Sequence, residues 1–241
     1  MKNIYTHILL AVIVIFILAG LLSPFIWNLY LLLRLPFLWK AIFEKGILSQ
    51  KLQTSDATSS MLDNTHYAAD AGLNASIPAK LHYIYLDNTD ALQSEWQDAR
   101  NACLIQNPDW TIFIWDSSSA RYFVRNYYPH LLSTWDSYPY PEQRVNALRY
   151  MILYTYGGAL LDNRLICRYS LEPLRQYSFV APTASPFGIS SSMMLASPYN
   201  PYVRDLVRYL PIFNHRWLFM PHFTAMLSTG DYYASYVALV P

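Results

Sequence analysis

One carboxylate stands where an α/β fold would put it to use. Residues 159–162 read Ala-Leu-Leu-Asp, a short buried strand with Asp162 at its carboxyl end. Open α/β sheets bind ligands outside the carboxyl ends of their strands, so Asp162 is a candidate metal or ligand contact. The plain alternative is a turn or helix-capping aspartate. Two residues on comes Arg164, a permanent cation that either pairs with the acid or meets a phosphate through its planar fork. The two cysteines, Cys103 and Cys167, belong to no Cys-x-x-Cys or Cys/His cluster, which argues against structural zinc. They either pair as a disulfide in an oxidising compartment or remain two buried thiols.

The elements that must position these residues are legible in the pattern. Residues 80–86, apolar and aromatic after Pro78, read as a first strand. Residues 94–107 form an amphipathic helix with Trp96, Ala99, Cys103 and Leu104 at helical spacing. Asn107-Pro108-Asp109 is a turn, and residues 110–115 are the next strand. Asp116 or the serines 117–119 cap a helix over 120–127. Residues 142–156 are a helix that Gly157-Gly158 ends, with Val145, Leu148, Ile152 and Tyr156 facing a core. The aromatic residues Trp110, Trp115 and Tyr150 are expected in the core.

The charge is unevenly spread. The chain has 241 residues and a net charge of +1, yet residues 1–53 hold five basic side chains and one acid. The remainder is mildly acidic, which excludes a basic nucleic-acid binder. A charged fraction of 14% with 54% hydrophobic residues also excludes a disordered chain. From residue 8 to residue 33 no side chain is charged, enough for the ~20 apolar residues of a membrane-spanning helix. Pro24 is expected to kink or end that helix. The apolar run outlasts the ~7–15 residues of a cleaved signal peptide. Residues 1–34 therefore read as a membrane anchor, and residues 35–76 as an amphipathic segment followed by a polar stem. Residues 77–241 are the folded domain. Arg34, Lys40 and Lys45 against Lys2 favour a cytosolic C-terminal side. Asn74-Ala75-Ser76, a glycosylation acceptor at Asn74, would place that side in a lumen.

From about Ile77 to Tyr236 the chain resembles the family 32 glycosyltransferases, of the fungal inositol-phosphoceramide mannosyltransferase type. The matching pieces include Ile77-Pro78 with His82, Asn107-Pro108-Asp109-Trp110, and Tyr138-Pro139-Tyr140-Pro141. Gln143-Arg144, Ala147-Leu148-Arg149-Tyr150 and Leu153-Tyr154-x-x-Gly157-Gly158 running into Asp162 follow. Cys167-Arg168, Trp217 and Ser228-Thr229-Gly230 complete the match. The resemblance implies a GT-A-like nucleotide-sugar fold, with a central mixed sheet flanked by helices, facing the Golgi lumen. It also implies GDP-mannose as donor, a Mn²⁺ ion on the diphosphate, and inositol-phosphoceramide in the membrane as acceptor. The chain departs from the pattern where the chemistry sits. The Asp-x-Asp reads Asp162-Asn163-Arg164, an acid becomes Asn146, an Asn-Asp pair becomes Ser191-Ser192, and the chain ends short of longer members.

The expected donor-side residues are His82, Tyr85, Asn146, Arg149, Asp162 and Arg164. Tyr85 would stack on the base, and Asp162 and Arg164 would act in catalysis. A metal at Asp162 would lack its second carboxylate. Trp217 and His222 are expected on the acceptor side. The competing expectation is an inactive homologue that binds or regulates an active paralogue in the same membrane. For His82 the alternative is a hydrogen-bonded strand histidine, and for Arg149 an ion pair within the fold.

Overall fold

The uncharged run folds as a single helix, α1 (Lys2–Glu44), of 43 residues. At 1.5 Å per residue it is about 65 Å long. It continues past Pro24 and Pro36, so neither proline ends it. Ile8, Leu9, Leu10, Ile13, Ile15, Phe16 and Ile17 are all exposed, so apolar side chains lie on every face of the helix. Among the described residues no helix is long and apolar enough to cross a membrane. Several side chains of this helix, those at 21, 24 and 25 included, lie outside the described residues.

The computed structural model describes residues 2–44, 76–86, 93–184, 188–216 and 220–239. They divide between two compact units, Met1–Leu48 and Ser49–Pro241. Asn74, Trp217 and the polar stem up to residue 75 lie outside the described residues.

In the second unit the expected strands and helices are present. In chain order they are β1 (Lys80–Tyr85), α2 (Gln93–Gln106), β2 (Thr111–Asp116), α3 (Ser117–Tyr127), α4 (Leu132–Ser137), α5 (Pro141–Tyr156) and β3 (Gly158–Leu161). After β3 come β4 (Phe179–Val180), β5 (Met193–Ala196), α6 (Pro201–Tyr209), α7 (Pro221–Ser228) and α8 (Asp231–Val237). The sheet order is β2-β1-β3-β5-β4. β1 pairs in parallel with β2 and β3, and β5 runs antiparallel to β3 and β4. The sheet is therefore mixed. The carboxyl ends of β1, β2 and β3 and the amino end of β5 share one edge.

Alternation along the strands builds two cores. Ile84, Leu160, Met194 and Ala196 face α3, α5, α6 and α8. Leu81, Tyr83, Ala159, Leu161 and Leu195 face Cys103 of α2 and the segment carrying Cys167 and Leu171. Each fully buried leucine contributes roughly 1.5–3 kcal/mol of transfer free energy. Asp116 caps α3 by accepting from Ser119 N at 2.7 Å, with the reciprocal bond also present.

Two local devices fix the sheet. Gly157 (φ 60°) and Gly158 (φ 99°) both lie in the left-handed region. A Cβ at Gly157 would meet Pro198 Cδ at 2.6 Å, and one at Gly158 would meet Lys80 O at 2.6 Å. Only glycine lets α5 stop and β3 begin that close to β1. On the opposite face Asn107, buried, donates to Cys103 O at 2.8 Å and accepts from Leu171 N at 2.7 Å. Trp110 Nε1 donates to Glu172 at 3.0 Å. The Asn-Pro-Asp-Trp turn is thus a clamp on the segment that follows β3. Cys103 and Cys167 form a disulfide across the same junction, 64 residues apart.

Closing a loop of that length restricts the unfolded chain, an effect of about 4 kcal/mol at this separation. Replacing Cys103→Ser and Cys167→Ser together is expected to lower unfolding free energy by about that amount. The check is denaturant unfolding of the double variant beside the oxidised protein. Equal midpoints would exclude a stabilising bridge.

Candidate active site

Asp162 leaves β3 at the shared edge. Its backbone N donates to Ser192 O at 2.8 Å, which ties it to the start of β5. Its carbonyl accepts from Leu165 N at 2.9 Å, closing a turn over Asn163 and Arg164. The Asn163 side chain donates to Ile84 O at 2.8 Å and pins that turn to the end of β1. One oxygen of Asp162 accepts from Arg164 N at 3.2 Å. Arg164 is exposed, and among the described residues no ion pair joins its guanidinium to Asp162.

Arg149 reaches the same edge from α5. It is only 4% exposed. Nη1 donates to the carbonyl of Ser191, and to Asn146 Oδ1 at 3.4 Å, while Nε is buried with no partner. Burial pushes the guanidinium pKa down, against the opposing fields of Tyr150, Asp162 and Asp231. Ser191 passes the connection on. Its backbone N and hydroxyl donate to Asp231 Oδ1 at 2.8 and 2.6 Å. Arg149 and Asp231 are therefore linked through a peptide rather than in contact. Asn146, Arg149, Asp162, Arg164 and Ser191-Ser192 come together although up to 46 residues separate them in the chain.

Asp231 is the residue that sequence reasoning did not single out. The signal was its place directly after Ser228-Thr229-Gly230, a matched motif. That motif is held from α5: Gln143 donates to Ser228 Oγ at 2.7 Å and Tyr150 OH donates to Thr229 O at 2.6 Å.

Tyr85 ends β1 at the shared edge and is half-buried, its ring 5.3 Å from that of Trp96. Burial raises its pKa, with Arg100 opposing. His82 is a correction. It is fully buried, and its Nε2 bonds Gly157 O at 2.9 Å, at the opposite end of β3 from Asp162. Its Nδ1 accepts from Trp115 Nε1 at 3.3 Å, so the proton sits on Nε2. With both nitrogens engaged inside the fold, His82 supports the glycine junction and does not reach the donor edge. His222 is exposed on the first turn of α7, its ring 6.3 Å from that of Phe223, and no described contact links it to Asp162.

The residues do not fit a Mn²⁺ ion held in the Asp-x-Asp manner. Divalent cations of this kind need several oxygen ligands, with carboxylates converging. Among the described residues no three His, Cys, Asp or Glu converge. Asp162 has an arginine where a second acid would stand, and Asp231 Oδ1 is taken by Ser191.

Burial pushes the His82 pKa down to about 4, reinforced by Lys80 and opposed by the Gly157 carbonyl. The unfolded chain takes up this proton near pH 6.5, the native one only near pH 4. Stability is then complete above about pH 6.5 and lost as pH falls toward 4, by roughly 3 kcal/mol. Thermal unfolding across that window is expected to flatten in the His82→Gln variant. An unchanged pH slope would remove His82 as its source.

Residues 93–180 match the family model of the glycosyltransferase sugar-binding region containing a DXD motif. Inositol phosphoceramide mannosyltransferase 3 of Schizosaccharomyces pombe is 35% identical over 164 residues, covering 68% of this chain and 45% of that protein. A mannosyl phosphorylinositol ceramide synthase of Saccharomyces cerevisiae is 32% identical, covering 67% and 41%. Inositol phosphoceramide mannosyltransferase 1 of Schizosaccharomyces pombe is 30% identical, covering 76% and 58%. The chain thus spans about half the length of these curated relatives. Among solved structures, the PaToxG glycosyltransferase aligns with a TM-score of 0.51 at 11% identity, over 75% of this chain and 76% of that one. That likeness concerns the fold alone. On the family match and these relatives, the chain belongs to the glycosyltransferases with a DXD-type sugar-binding region.

Proposed function

We propose that the chain is a membrane-anchored mannosyltransferase that carries mannose from GDP-mannose to inositol-phosphoceramide in sphingolipid synthesis. One observation carries the reading: Asn146, Arg149, Asp162 and Arg164, remote in sequence, meet at the carboxyl edge of the parallel strands. The names of the relatives supply the acceptor and the sugar. In the transfer, the bond from the anomeric carbon to the diphosphate oxygen breaks and GDP leaves with the electron pair. A bond to an acceptor hydroxyl oxygen forms, and the proton of that hydroxyl passes to the departing diphosphate. Negative charge grows on the leaving diphosphate, and fixed cations at that point lower the barrier. Tyr85 offers a face for the guanine ring. Asp162 orients the donor or the neighbouring arginines. Trp217 and His222 stay assigned to the acceptor side on the family resemblance.

The anchor is α1. An all-round apolar helix is stable only inside a protein or a bilayer, so we place residues 8–33 across the membrane. The disulfide favours an oxidising compartment for the folded domain. That agrees with use of Asn74 and with a Golgi lumen, against the flanking charges.

Full-length protein in membranes, given GDP-mannose and inositol-phosphoceramide, is expected to yield a lipid heavier by one hexose. Asp162→Asn should cut the rate by at least about tenfold. A folded protein that forms no product under any condition defeats the reading. Topology is tested separately: glycosidase treatment should shift the mobility of the protein but not of Asn74→Gln. A domain digested by protease added to sealed vesicles would place it on the cytosolic side.

A further inference from the structure

We propose that this site binds a nucleoside diphosphate without a divalent cation, Arg164 and Arg149 supplying the positive charge. The inference rests on the reading that the site takes a nucleotide sugar, and it concerns how the diphosphate is held.

Charge is the first argument. The matched family region contains a DXD motif, and on the family resemblance Arg164 stands at its third position. Exchanging an aspartate for an arginine changes the local charge by about two elementary units, the same as adding one divalent cation. The site of this chain therefore carries through its own side chains the charge that a two-acid site acquires only on loading a metal. A divalent ion arriving beside Arg164 would meet repulsion and a single carboxylate, one oxygen of which already accepts from Arg164 N.

Position is the second. The turn bearing Arg164 is pinned on its leading side, by Asp162 N on Ser192 O and by Asn163 on Ile84 O, and Leu165 N closes it back onto Asp162 O. Its backbone is fixed while its guanidinium is exposed at the edge. A planar fork there can take two diphosphate oxygens at once.

The third argument is an unfinished group. Arg149 Nε is buried and has no partner, and the hydrogen bonds from Nη1 go to two neutral oxygens. A buried N–H without an acceptor costs about 1–3 kcal/mol. A phosphate oxygen entering the edge would satisfy it. Asp162 and Asp231 lower the cost of the buried cation without occupying it. Ser190 and Ser192, hydroxyls 3.0 Å apart beside the Asp162 turn, add neutral donors rather than repelling acids.

The test is calorimetric titration of the full chain in detergent with GDP and with UDP, in EDTA and in Mn²⁺. GDP is expected to bind equally in both. Arg164→Ala, an exposed position, is expected to keep the melting temperature and lose about tenfold or more in affinity in EDTA. Arg164→Asp should bind only with Mn²⁺. Binding of GDP that needs Mn²⁺ overturns this inference and leaves the nucleotide-sugar reading standing. UDP but not GDP binding in EDTA upholds metal-free capture and removes the guanosine donor. No binding of either nucleotide in either condition removes both.

Discussion

A permanently charged guanidinium buried under α5 sets the terms for the rest of this domain. Arg149 cannot shed its proton to escape a dry environment, as a lysine can. Its desolvation costs several kcal/mol after relaxation, so the surrounding chain must answer it. The answer comes from three separate segments. Asn146 lies one helical turn back, Ser191 presents a carbonyl before β5, and Asp231 holds Ser191 from the first turn of α8. Asp162 adds its field from the end of β3. The arrangement makes the helix, the sheet and the C-terminal helices mutually dependent at the edge that carries Asp162.

The opposite face of the sheet works by a covalent bond and hydrogen bonds. The disulfide, the buried Asn107 and the Trp110–Glu172 bond all fasten the segment after β3 to α2 and the β2 turn. Asp162 therefore leaves a strand whose onward chain cannot drift. The glycine pair before β3 performs the complementary task at the other end, where His82 and Trp115 close over the junction. Between these two anchorages β3 spans only Gly158–Leu161, and a strand that short holds its register through its flanks.

Much of this was legible in the chain itself. The run from β1 to β3 follows from periodicity, caps and glycines, because those signals are local. Asp162 at a strand end was visible for the same reason. The antiparallel β4 and β5 were not: they are two and four residues long and, unlike β3, have no glycine pair before them to mark where they begin. His82 shows the limit from the other side. A histidine on a first strand has the same sequence appearance whether it faces a ligand or a glycine carbonyl. Cys103 and Cys167 likewise gave no geometry from spacing alone.

What the amino-acid sequence determined by itself is the division into a charge-free helical run and an α/β domain, with Asp162 at a strand end and a cation, Arg164, two residues on. Those are matters of composition, period and residue type. What only the tertiary structure decided is which groups share the edge. Asp231 and Ser191 lie 40 residues apart, and their bonds exist because α8 packs against α6 and α7 and delivers a carboxylate to the start of β5. Long-range hydrogen bonds depend on the packing of whole elements, and no local pattern encodes them. The same packing leaves Arg149 Nε without an acceptor, so the cationic character of the site emerges from the fold as much as from the residues in it.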